Sequence, residues 1–197
     1  ALLASLNGGT LPDGTHRLRL SAEDQYGNAS AAIEIVFTLD TTAPIAPAIP
    51  DLLPASDTGF SDTDNLTNRV TPQIQVIVEP DSLVRLWAGA TKLAETYAAQ
   101  PLATLVPTLT EGSNELTVTV EDLAGNVSAP SPALVVALDT TAPAAPTFAL
   151  DPASDTGAQG DDITELDQVT LVGKAGAGLW LAVHLDSRPD LVLATTF

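Results

Sequence analysis

Acidic side chains crowd a few short loops of this chain, and the chemistry they could do is hard-cation binding. Asp57, Asp62, Asp64 and Asn65 fall in one stretch. Asp40 stands upstream in a Pro-rich segment, and Asp24 precedes Gly27 and Asn28. The pattern then returns as Asp122 with Asn126, followed by Asp139, Asp155, Asp161 and Asp162. An ion such as Ca2+ takes roughly six to eight oxygens from carboxylates, amides and backbone carbonyls. Carboxylates drawn together without a cation repel one another, so true convergence of these segments would call for a metal. The same residues are also good turn formers, closing loops through side-chain to backbone bonds. Gly27 and Gly125 suit positive φ in such turns, with Asn28 and Asn126 able to close them. No stretch fits the EF-hand loop pattern.

Other chemistries find little support. His16 and His184 are lone histidines on strand-like stretches with no partner pattern. Trp87 and Trp180 could form a sugar platform, but one Trp per repeat on a strand reads first as packing. No Gly-x-Ser-x-Gly elbow occurs. Paired carboxylates for glycoside hydrolysis need a cleft, which thin sandwiches rarely make. Cys is absent, which removes disulfides, thiolate metal sites and Cys nucleophiles. The chain is therefore read as non-enzymatic. Twenty-five acidic residues against seven basic ones give a net charge of −18 and exclude a nucleic-acid partner. No apolar run is long enough to insert in a bilayer.

The elements that must position these acids read as strands. Ile74, Val76 and Val78 alternate along one run, and Leu116, Val118 and Val120 along another. Leu18 with Leu20, Ile33 with Ile35 and Phe37, and Leu181 with Val183 and Leu185 repeat the pattern. Strands are expected near residues 46–52, 73–79, 83–88, 92–97, 102–106, 114–121 and 133–138. Further strands are expected at 17–23, 32–39, 169–173, 179–185 and 191–196. Pro101 interrupts the one helix-friendly stretch.

A long repeat organises these runs. Leu39-Asp40-Thr41-Thr42-Ala43-Pro44 returns as Leu138-Asp139-Thr140-Thr141-Ala142-Pro143, an offset of 99. Pro54-Ala55-Ser56-Asp57-Thr58-Gly59 returns from Pro152 to Gly157, and Asp24-x-x-Gly27-Asn28 as Asp122-x-x-Gly125-Asn126. The expected fold is all-β: tandem immunoglobulin-like β-sandwiches of about 99 residues per repeat. One complete repeat covers residues 40–138, flanked by the closing part of a repeat at 1–39 and the opening part of another at 139–197. The Pro-rich linker suits a stiff, extended junction.

These phrases together resemble the bacterial Ig-like repeats of giant surface and biofilm adhesins. The carriers are the Asp-Thr-Thr-Ala-Pro linker, Asp155-Thr156-Gly157, Asp161-Asp162-Ile163-Thr164, and Asp-x-x-Gly-Asn-x-Ser at Asp24–Ser30 and Asp122–Ser128. The resemblance implies an extracellular or cell-surface protein of bacteria, rod-like stacking, and Ca2+ at domain junctions. It puts Asp24, Asp40, Asp57, Asp62 and Asp64 at a first junction. Asp122, Asp139, Asp155, Asp161 and Asp162 fall at a second. Gly160 replaces the acid at Asp62, so the two ligand sets differ.

With no initiator Met, signal peptide or lipidation motif, the chain reads as an interior stretch of something larger. Each part-repeat should expose an apolar face. The expected partners are therefore neighbouring copies or repeats, head to tail, with strands 1–39 of one completing 140–197 of the next. The function expected is a structural rod, stalk or matrix filament. The alternative is a module that binds a glycan or surface through loops or Trp87.

Overall fold

The structure, a computed structural model, describes residues 11–185 and 188–196, with Leu185 and the residues beyond it described as backbone only. Every regular element among the described residues is a strand. The chain divides into two compact units, Ala1–Thr140 and Thr141–Phe197.

The first unit opens with a hairpin of β1 (Gly14–Leu20) and β2 (Ile33–Leu39), antiparallel, with Leu18 facing Ile35. The strands that follow are β3 (Asp51–Leu52), β4 (Leu66–Thr67), β5 (Ile74–Ile77) and β6 (Ser82–Ala88). They continue with β7 (Thr91–Ala98), β8 (Leu102–Leu105), β9 (Gly112–Glu121) and β10 (Leu134–Leu138). These eight form two sheets, ordered β4-β10-β9-β6-β7 and β3-β5-β8. All pairings are antiparallel except β4 with β10. The second unit holds two hairpin-like pairs, β11 (Thr147–Leu150) with β12 (Leu171–Lys174), and β13 (Leu181–Leu185) with β14 (Arg188–Thr196).

Alternation builds the central core. Along β9, Asn114, Leu116, Val118 and Val120 point inward while Thr117 and Thr119 sit nearer the surface. Val84 and Leu86 from β6, Ile74 and Val76 from β5, and Val136 and Leu138 from β10 complete the same core. Each large aliphatic side chain buried there contributes about 1.5–3 kcal/mol. The outer face of the five-stranded sheet carries polar cross-strand contacts. Arg85 bridges Glu95 and Glu121, and Lys92 reaches Glu95. Those surface pairs add little, about 0–1 kcal/mol each.

The strands match the alternating runs with three differences, one being β11 (Thr147–Leu150), which was not among the expected strands. The run expected over 46–52 pairs only at Asp51–Leu52, because Pro44, Pro47 and Pro50 supply no N–H to a ladder. The short β4 was not expected. Its two residues lie parallel to the end of β10, with Leu66 beside Ala137 and Thr67 beside Leu138.

Candidate functional site at the repeat ends

The closing turn is built first. Asp122 Oδ1 accepts the backbone N–H groups of Ala124 and Asn126 at 2.8 and 2.9 Å. Its Oδ2 accepts the Asn126 side-chain amide at 2.9 Å. Gly125, at φ 92°, makes the tight return that only a residue without Cβ adopts easily. Asp24 does the same work. It accepts from Tyr26 N, Asn28 N and the Asn28 amide at 2.8–2.9 Å, around Gly27 at φ 84°. Both carboxyls are held below the usual Asp value, first by the Asn amide and then, among smaller effects, by backbone N–H donors. In the described loops these two acids serve as turn formers.

The opening loop has its own frame. Ser56 and Asp57 donate their backbone N–H groups to Leu53 O, and Ser56 Oγ accepts Gln73 N at 2.9 Å. Asp57 is buried, and its Oδ2 accepts Asn65 N at 3.0 Å. Asp155 repeats this place, buried, with Oδ2 accepting Gly160 N and Ser154 Oγ accepting Thr170 N. At both Asp57 and Asp155 the other oxygen, Oδ1, is buried with no hydrogen-bond partner. Asp64 and Asp161 spend Oδ1 on Leu66 N and Ile163 N at 3.1 and 3.0 Å. Asp62 is exposed. Asp162 occupies the positive-φ position that Asn65 holds in the central repeat, φ 57° against 59°.

The linker aspartates separate these loops. Asp40 Oδ1 accepts Thr42 N at 3.0 Å, and its carbonyl accepts the second amide proton of Asn126 at 3.1 Å. Asp139 donates its backbone N–H to Thr67 O at 2.9 Å. The structure thus sorts the acids differently from the expected junction sets. Within the first unit, Asp40 meets the Asp122–Asn126 turn of the same repeat. The Asp57–Asn65 loop instead lies where Asp139 leaves, because β4 runs parallel to the end of β10. Strand direction is the physical reason. β10 begins after the closing turn and ends at Leu138, so the two acid loops occupy opposite ends of the sandwich. Among the described residues, no three Asp, Glu or His side chains form a group placed to hold a metal ion.

Two acids that bond the linker threonines escaped the sequence reading. Asp13 Oδ1 accepts both the N–H and the hydroxyl of Thr41, at 3.1 and 2.9 Å, and Oδ2 accepts the Thr42 hydroxyl at 2.8 Å. These Thr42 and Thr41 bonds lower the Asp13 pKa. Glu111 repeats the arrangement on Thr140, taking its N–H at 3.1 Å and hydroxyl at 2.9 Å. The available signal was their place just before Gly14 and Gly112, which open equivalent strands. Of the aromatic and histidine candidates, Trp87 and His16 make structural contacts, while Trp180 is exposed. Trp87 donates its indole N–H to Thr119 Oγ1 at 2.9 Å, and His16 bonds Pro12 O while leaning on the Phe37 ring.

A model of a bacterial Ig-like domain matches residues 42–140, the stretch that forms the sandwich. The chain belongs to the bacterial Ig-like domain family. No curated protein matches it. Bacterial Ig-like domains are commonly extracellular or surface modules with structural or adhesive rather than catalytic work. No helix among the described residues is long and apolar enough to cross a membrane.

Proposed function

We propose that this bacterial Ig-like chain is a length-giving structural element, one link of an extracellular rod or filament such as an adhesin stalk or matrix fibre. The observation that carries the reading is a contrast between equivalent positions. Val118 is fully buried in the central repeat, whereas its counterpart Leu20 is 65 % exposed. Ile74 is fully buried, and its counterpart Leu171 is 41 % exposed. The flanking strands carry the residues of a sandwich core, and among the described residues each pair forms only a two-stranded sheet. The occupant that fits each face is the complementary set of strands in a second copy. β1 and β2 stand for β9 and β10, and β13 stands for β6, which pairs with β9 in the central repeat. Head-to-tail completion then extends without closing.

Ca2+ at the junctions belongs to the same reading. Its support is the unmatched buried Oδ1 of Asp57 and of Asp155, in loops that also carry Asp62, Asp64, Asp161 and Asp162. One such oxygen falls short of the roughly six to eight that Ca2+ takes, so water or a neighbouring repeat would complete the set.

The test uses the absence of cysteine. Leu86 faces Val118 across β6 and β9, so the equivalent intermolecular pair is Val183 and Leu20. Such facing Cα atoms lie about 4.5–5.5 Å apart, within disulfide range. The double variant Leu20→Cys with Val183→Cys should oxidise to a ladder of multimers, and neither single variant should. A double variant that stays monomeric, with or without an internal bridge, overturns the head-to-tail reading.

A further inference from the structure

The Asp-x-x-Gly-Asn turn has a use that turn formation alone leaves unexplained. In the central repeat, Asn126 divides its amide protons. One goes to Asp122 Oδ2 within the turn, and the other reaches Asp40 O, 86 residues upstream. Residues 40–42 are also held by a second group. Asp13, from the loop before β1, takes three hydrogen bonds from Thr41 and Thr42. Asp40 itself is fixed by its bond to Thr42 N.

We infer that the Asp-x-x-Gly-Asn turn is a docking surface for the linker that leads into its own repeat, and that its partner is the Asp-Thr-Thr segment held by an acid in the loop before the penultimate strand of the preceding repeat. The turn is ready before the linker arrives. The Asp24–Asn28 turn makes the same internal bonds, with the same carboxylate acceptors, so the shape does not depend on gripping a linker. A preformed donor loses little freedom on binding. The acid side of the clamp occurs twice, at Asp13 on Thr41 and at Glu111 on Thr140, so the linker is presented in the same way at each junction. Asp13 and Glu111 accept from both the backbone and the hydroxyl of the first Thr. That explains why this position is Thr in both linkers, since Ser would offer the same hydroxyl with a looser χ1. The clamp needs no metal, and it goes beyond the rod proposal, because it holds whether or not copies assemble.

Backbone amide exchange in the whole chain tests it. Asn126→Ala should speed exchange at Thr41 and Thr42 by about two- to tenfold, the range for one lost hydrogen bond. Asn28→Ala opens the equivalent turn at the far end of β2 and should leave both amides unchanged. Asp13→Ala should speed the same two amides by a similar or larger factor without altering the sandwich. Unchanged exchange at Thr41 and Thr42 in Asn126→Ala, or an equal effect from Asn28→Ala, overturns the docking role. If Asn126→Ala unfolds the closing turn itself, unchanged exchange in Asp13→Ala overturns the two-part clamp.

Discussion

The central repeat and the strands on either side of it are written in one sequence pattern and end in different physical states. Leu116 and Val118 on β9 are fully buried, while Leu18 and Leu20 on β1 keep 36 % and 65 % of their surface. The hairpin register is also the same. Leu116 faces Leu134 just as Leu18 faces Ile35. Local pattern and pairing are therefore enough to make the hairpin, but burial requires the second sheet. The difference teaches that the closing hairpin's own pairing is local and its apolar stabilisation is not.

Core truncation should separate the two regions most sharply. Leu86→Ala removes a fully buried side chain and should destabilise the sandwich by about 2–5 kcal/mol. Leu20→Ala should stay within about 0.5 kcal/mol for the unassembled chain, as an exposed substitution does. Urea denaturation at low protein concentration checks both. A cost for Leu20→Ala comparable to that of Leu86→Ala would show that the hairpin already has a covering sheet.

The two buried carboxylates sharpen the comparison further. Asp57 lies in the complete repeat and Asp155 in the partial one, yet each leaves Oδ1 without a hydrogen bond. Asp57→Asn and Asp155→Asn remove a charge whose burial is costly, so metal-free stability should hold or rise. If Ca2+ engages these oxygens, the native chain should gain about 2.7 kcal/mol at a hundredfold excess over the dissociation constant. The two variants should lose that gain. Calorimetry with Ca2+ and with chelator decides it, and identical melting temperatures for the native chain would remove Ca2+ from the account.

Much of this fold was legible because alternation is a direct imprint of a half-buried strand. The runs at Ile74–Val78 and Leu116–Val120 and the repeated linker phrase led straight to an all-β tandem sandwich. What stayed illegible was direction. Asp57 follows Asp40 closely in sequence, so the two were assigned to one junction. The parallel β4 instead brings the Asp57 loop to the end of the sandwich where Asp139 leaves. A two-residue strand carries too little pattern to be seen in advance. Asp13 and Glu111 were missed for a related reason. Each is a lone acid in a loop, and its meaning depends on Thr41 or Thr140, 28 or 29 residues away.

The smallest effect concerns the closing turns, which are alike inside and differ outside. Asp24 and Asp122 are both held below the ordinary value of 3.8, each first by its Asn amide. A depressed folded pKa means the contribution is complete above about 3.8 and is lost as pH falls through the lowered value. Each turn should therefore persist at mildly acidic pH and open only below the normal Asp range. The backbone amides of Asn28 and Asn126, which donate to these carboxylates, are the natural probes. Their chemical shifts should titrate with midpoints below 3.8 in both turns. Asn126→Ala should raise the Asp122 midpoint toward 3.8, because its largest stabilising donor is gone, and should leave Asp24 where it was. Loss of the Asp122 turn at low pH should also free Asp40 O from Asn126, so Thr42 should become more mobile over the same pH interval. A midpoint at or above 3.8 in the native turns would mean that these carboxylates do not hold the loops shut.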